Sequence, residues 1–293
     1  MRARAPGKVV LSGAYAVLEG APAIVAAVDR FVQADTERTA SFATPEVRAA
    51  LGDGEPPWFD ASALREGGKK LGLGSSAAIL VASLGALELA RAPELSAPAL
   101  RRAVYLRAHA AHRQAQGGGS GVDVAASCHG GVLSARRVAG ELEWAPLELP
   151  AGLSFVVLAA PEPASTPELV RRVYELRRRD PAQFAELMSR QAAAAESALD
   201  AARASDAPAF LLALAEQGRA LAALGAASEA PIVTPELRAL ALEAERSFAA
   251  ALPAGAGGGD LALWVTLDAA PPPDVGLRAL ELALGAPGLD RLL

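Results

Sequence analysis

Lys69-Lys70-Leu71-Gly72-Leu73-Gly74-Ser75-Ser76-Ala77-Ala78 is the stretch whose reading governs the rest of this chain. After it, Ile79, Leu80, Ala82, Leu84 and Leu87 recur at helical spacing as far as Arg91, and Pro93 ends the run. A helix that opens inside a glycine loop gathers several backbone N–H groups and the positive end of its dipole on one spot, which suits an anion. Gly72, Leu73, Gly74, Ser75, Ser76 and Ala77, with Lys70 before them, are therefore expected to hold phosphate. Ser76 is the candidate Mg²⁺ ligand, and the plainer alternative is that Ser75 or Ser76 only caps the helix. The stretch also satisfies G-x-G-x-x-A, yet Lys69 and Lys70 stand where a dinucleotide-binding fold needs a buried strand. Gly-Lys-Ser/Thr is absent, so this is not a Walker A loop.

Lysine occurs only three times among 28 basic residues, and each copy, Lys8, Lys69 and Lys70, lies beside glycine. A compact ammonium kept beside donor-rich loops suits a point charge on phosphate. The net charge of −5 and a pI near 5.4 argue against nucleic acid as a partner. Arg171, Arg172, Arg177, Arg178 and Arg179 read as the solvated face of a helix. The single cysteine, Cys128, excludes an internal disulfide and is expected in the core of a cytoplasmic protein. No leader-like segment and no run of 18 apolar residues occurs, so neither export nor a membrane span is expected.

Residues 5–13 read as a strand, 23–32 as its partner, 38–68 as strand fragments and loop, 97–116 and 120–127 as further helices, and 132–143 as a hairpin. A strand at 153–159 precedes a helical stretch from Thr166, and a strand at 261–267 follows a second glycine run. Pro271-Pro272-Pro273 reads as a turn before a last short helix. A boundary near residue 150 is expected, giving domains 1–150 and 151–293. Asp123 suits either a helix cap or a carboxylate that takes a proton from an attacking hydroxyl, which Lys8 would assist. Gly255-Ala256-Gly257-Gly258-Gly259-Asp260 suits either close approach to a ligand or a flexible connector. His109 and His112 lack a third ligand nearby for zinc, and Trp58, Trp144 and Trp264 read as core.

Ala-Pro-Gly-Lys followed by Gly13-Ala-Tyr15-Ala-Val-Leu-Glu-Gly20, then the phosphate loop, then Ala111-His112 to Gly131 with its Gly-Gly-Gly-Ser-Gly-Val-Asp123 core, then the run at 255–260, come in a specific order. In that order the chain resembles the GHMP small-molecule kinases over nearly its full length, and within them the branch that acts on 5-phosphomevalonate. Pro163-Ala164-Ser165-Thr166 and Val233-Thr234-Pro235 are similar to that branch too. The resemblance implies a two-domain α+β GHMP kinase fold, an N-terminal half like ribosomal protein S5 domain 2 and a ferredoxin-like C-terminal half. It implies ATP and Mg²⁺, catalysis by Lys8 and Asp123, and substrate contacts from Tyr15, Ser120, Gly121, Thr166, Gly257 and Gly258. A phosphate acceptor would need further cations, from among Lys69, Lys70, Arg30, Arg136 and Arg137. The partner implied is a small phosphorylated substrate, without nucleic acid or membrane, on a monomer or homodimer. Other GHMP acceptors such as mevalonate, the related decarboxylation of diphosphomevalonate, and a non-catalytic sensor of the same fold are the alternatives. Ala14, Leu252 and Ala254 depart from the pattern, standing where glutamate, lysine and serine are usual, and His112 stands where mevalonate kinases carry a metal-binding glutamate.

Overall fold

The computed structural model describes residues 1–160 and 166–292. In chain order the elements are β1 (Arg2–Ser12), β2 (Ala23–Thr39), α1 (Pro45–Leu51), β3 (Pro57–Asp60), β4 (Arg65–Glu66), β5 (Lys69–Lys70), α2 (Ser75–Arg91), α3 (Ala97–Ala115), α4 (Val122–His129), β6 (Val132–Val138) and β7 (Glu141–Pro146). They continue with β8 (Ser154–Ala159), α5 (Thr166–Arg179), α6 (Pro181–Arg203), α7 (Ala207–Ser228), α8 (Pro235–Arg246), β9 (Ala250–Pro253), β10 (Leu261–Thr266), β11 (Arg278–Ala279) and β12 (Asp290–Leu292). Two compact units interleave along the chain, whereas composition suggests one boundary near residue 150: 1–9, 25–133 and 282–293 form the first, 10–24 and 134–281 the second.

In the first unit β1 lies between β12 and β2, and β3 adds antiparallel to β2 through Gln33↔Asp60 and Ala34↔Phe59. β12 pairs antiparallel with β1, Arg2↔Leu292 to Arg4↔Asp290. Helices α1 to α4 pack on one another, and α2 also meets β3 and β12. α2 is apolar on nearly every side, and Ile79, Leu80, Val81 and Leu84 are all buried, which is how a central helix reads. Cys128 is buried in α4 and burial pushes its thiol pKa upward, as an inert core thiol requires.

The second unit sets a four-stranded sheet, in the order β11-β8-β10-β9, beside the helices α5 to α8. β10 runs antiparallel to both neighbours, Leu263 facing Val157 of β8 and Leu252 of β9. Trp264 is 2% exposed and its indole N–H donates to the Ala270 carbonyl at 2.9 Å. Trp58 and Trp144 are only half-buried, so the core reading holds for one tryptophan of three. α7 is long and apolar enough by composition to cross a membrane, and half of that window is buried inside the unit. Arg171, Arg172, Arg177 and Arg179 of α5 pair with Glu168, Glu175, Glu19 and Glu229 on a solvated face.

The expected last helix does not form. Residues 278–292 supply β11 and β12 instead, and the Leu280 N–H donates to the Val157 carbonyl at 2.8 Å. Gly285, Pro287 and Gly288 break any helix there.

Candidate active site

β1 lays Lys8 against the phosphate loop. The Lys8 amide donates to the Leu73 carbonyl at 2.9 Å, and its ammonium lies 3.5 Å from the Gly72 carbonyl. Gly74, at φ 74°, is the residue before α2, and a Cβ there would stand 3.0 Å from the Lys8 Cγ and Cε. Glycine is needed at that point for the left-handed backbone and to let the lysine stem pass. No side chain caps the first turn of α2, so Ser75, Ser76 and Ala77 present their amides at a helix N-terminus without an internal acceptor from a cap. Lys70, expected beside them, is exposed on the β4–β5 hairpin.

α3 and α4 bring two more residues to the same loop. His112 is 4% exposed, and its Nε2 lies 3.2 Å from the Asp123 Oδ2 and 3.5 Å from the Ser76 Oγ. One nitrogen carries one proton, so it serves one of these partners at a time. Asp123 does not cap α4, whose first turn has no side-chain cap; its Oδ1 accepts from the Val124 N–H at 3.0 Å. Ser120 accepts from the Val122 N–H at 3.5 Å, and Gly121 takes the left-handed N-cap position. The Ser127 hydroxyl donates to the Pro6 carbonyl at 2.9 Å and so fixes α4 to β1 two residues from Lys8.

Burial raises the Asp123 carboxyl, but the adjacent His112 charge and hydrogen bond, then Lys8, outweigh it and hold the acid down at about 2. His112 shifts the other way: burial opposes its charge, while Asp123 and then Glu46 lift its pKa above the ordinary value. Both shifts favour the charged form of their group.

Sequence reasoning missed Glu46 and Gln116. Gln116 donates from Nε2 to the Glu46 Oε1 at 3.2 Å and to the Ser76 Oγ at 3.4 Å. Glu46 is 6% exposed in the first turn of α1, a helix opened by the Thr44 cap and Pro45 inside the stretch read as loop. Thr-Pro-Glu was the available sign of that helix start, though it says nothing of burial. His109 stacks on Tyr105 rather than facing His112, and no group of three His, Cys, Asp or Glu side chains able to hold a metal occurs among the described residues.

In the second unit Tyr15 is 5% exposed with φ 61° and ψ −50°, and its hydroxyl donates to the Ala256 carbonyl at 2.6 Å. Burial pushes its pKa far up, so the phenol stays protonated and donates. Gly257 has φ 79° and a Cβ there would sit 2.2 Å from the Ile232 carbonyl, so the glycine run is seated rather than loose. The Gly258 N–H donates to the same carbonyl at 3.0 Å. Leu252 and Ala254 are buried, which leaves no cation or hydroxyl at those points of the loop. Thr234 caps α8 by accepting from the Leu237 N–H at 3.3 Å. Thr166 is exposed at the start of α5, while Pro163, Ala164 and Ser165 lie outside the described residues. Arg136 is engaged by both Glu196 oxygens at 2.7 Å.

Residues 60–131 match the family described as the GHMP kinases N terminal domain, a span that holds the phosphate loop, His112 and Asp123. A structure of a Listeria innocua protein superposes with a TM-score of 0.84 at 23% identity, over 99% of each chain. Streptococcus pneumoniae phosphomevalonate kinase in complex with phosphomevalonate and AMPPNP superposes with a TM-score of 0.75 at 21% identity, over 97% of this chain and 99% of that one. The chain has the GHMP kinase fold. Across 87% of its length, and 87% of the relative's, it is 29% identical to a Streptomyces phosphomevalonate kinase. The domain match and these relatives support a reading of the chain as a kinase-type phosphotransferase.

Proposed function

We propose that this GHMP kinase transfers the γ-phosphoryl group of ATP to the phosphate of 5-phosphomevalonate. The observation that carries the reading is His112 set beside Ser76 and Asp123, in the unit where Lys8 lies on the phosphate loop. A phosphate monoester has a second pKa of about 6, so at neutral pH its attacking oxygen arrives deprotonated. Such an acceptor needs cations and placement more than a base. Lys8 supplies a cation, Asp123 favours the charged form of His112 as a second, and the amides at the start of α2 orient the anion. The Streptomyces and Streptococcus phosphomevalonate kinases support the same acceptor.

Mg²⁺ fits this donor set only as an ion that brings phosphate and water oxygens with it. Ser76 Oγ and the Asp123 carboxylate are the protein donors available to it. When bound, such an ion neutralises charge on the transferring phosphates. Asp123 favours the charged form of His112, and its Oδ2 is the atom that would accept a proton, a role that a hydroxyl acceptor such as mevalonate would use; this carboxylate is the one observation that favours that second reading.

The deciding experiment is ADP release from Mg-ATP with mevalonate, 5-phosphomevalonate and 5-diphosphomevalonate offered separately, with CO₂ followed in parallel. Turnover on 5-phosphomevalonate alone is expected. Turnover on mevalonate alone would replace the proposed acceptor with the second reading, and silence on all three while ATP binds would overturn both.

A further inference from the structure

α7 buries an amide side chain in its middle, on a helix whose other large buried residues are Phe210, Leu211, Leu214, Leu221 and Leu224. Gln217 is 0% exposed; its Oε1 accepts from the Gly13 N–H at 2.8 Å and its Nε2 donates to the Ser12 hydroxyl at 2.6 Å. A buried amide costs stability unless its donors and acceptors are met, and here both ends are spent on one turn 204 residues away in sequence. The next residue, Gly218, touches the other loop's support: a Cβ there would lie 2.6 Å from the Ala251 carbonyl of β9, the strand that leads into Gly255–Gly259. Adjacent residues of one helix thus carry both loops. The loops then meet through the Tyr15 hydroxyl and the Ala256 carbonyl, with Tyr15 in a sparsely populated backbone conformation that persists only where its surroundings fix it.

We infer that the Gln217–Gly218 step of α7 is a positioning element that sets the spacing between the Tyr15 turn and the glycine loop, and so how these residues meet the acceptor. The second half rests on the proposed function and on the substrate contacts that the family resemblance implies for Tyr15, Gly257 and Gly258. Nothing in the sequence motifs points to Gln217, which acts through Ser12, Gly13 and Tyr15 without touching a substrate itself.

The test is amide hydrogen exchange of the full-length protein as wild type, Gln217→Met and Ser12→Ala, beside steady-state kinetics. Gln217→Met keeps the side-chain length and loses both hydrogen bonds. Exchange of residues 12–16 and 254–259 is expected to rise about 10-fold together, while α2 and α4 stay protected. Ser12→Ala, which removes one of the two bonds, is expected to raise both segments about 3-fold and decides the matter if Gln217→Met does not fold. Gln217→Met should also raise KM for 5-phosphomevalonate more than about 10-fold and leave KM for ATP within about twofold. Exchange that rises evenly through the second unit, or that leaves 254–259 unchanged, overturns the positioning role. Equal shifts in both KM values overturn its acceptor side. A wild type silent on 5-phosphomevalonate overturns the proposed acceptor, and the exchange result then decides the mount on its own.

Discussion

The two glycine loops do opposite things with the same residue. At Gly74 the absent side chain leaves room for a lysine stem and bare amides, and the titratable His112, Asp123 and Glu46 gather near Ser76 of the same loop. Around Gly255–Gly259 the absent side chain lets the backbone seat on the Ile232 carbonyl, and the neighbours Tyr15, Leu252 and Ala254 are neutral. The first loop is built to meet charge. The second is built for shape, and its polar bonds are internal.

Substitutions can break this contrast. Asp123→Asn should cut kcat by about 100-fold or more while ATP affinity by calorimetry stays within about twofold. A loss below about 10-fold would mean that the acceptor needs neither a base nor the charged histidine. Gly257→Ala forces a Cβ onto the Ile232 carbonyl at a left-handed φ, and should destabilise by about 2–4 kcal/mol in urea unfolding. Gly255→Ala, where a Cβ meets nothing within 4 Å, should cost about 1 kcal/mol, the strain of its φ of 121° alone. Equal costs would show that the second loop is held elsewhere.

The sites also differ in their response to pH. The raised pKa of His112 gives stability that is complete below its unfolded value near 6.5 and is lost as pH rises through the folded value. The lowered pKa of Asp123 gives stability present above the ordinary carboxylate range and lost as pH falls toward about 2. The pair therefore contributes most between about pH 4 and 6.5. His112→Gln should lower stability by about 1 kcal/mol in that window, with the gap closing at higher pH. A gap that stays flat from pH 5 to 9 would show an uncharged pair. The smallest effect expected is from Arg136→Ala, which removes a half-exposed ion pair with Glu196 and should cost below about 1 kcal/mol by the same unfolding assay.

Legibility in the sequence follows the same divide. α2 runs Ser75–Arg91 as its apolar spacing and Pro93 predict, because a glycine loop and a proline bracket it locally. The tail at 274–292 misleads: Leu277, Leu280 and Leu284 fall at helical spacing, yet their segment pairs with Val157 and with Arg2–Arg4, partners that no local pattern announces. β9 is four residues of alanine, leucine and proline, too short to show alternation. Lys8, Ser76 and Asp123 stand out because charged or hydroxyl residues beside glycine are informative. Glu46, Gln116 and Gln217 do not, since their importance lies in burial, and burial of a polar residue is a property of the packed chain.

Cys128 sits on α4 five residues beyond Asp123, sealed from solvent, and it is the chain's one thiol. A maleimide or disulfide reagent can reach it only when that helix lifts from its neighbours, so modification in native buffer counts openings. Because a single site reacts, the trace should be one exponential, and its slowing by added nucleotide would time how firmly the occupied loop clamps the helix that carries Asp123. The protein thus carries its own clock for the breathing of the helix on which Asp123 sits.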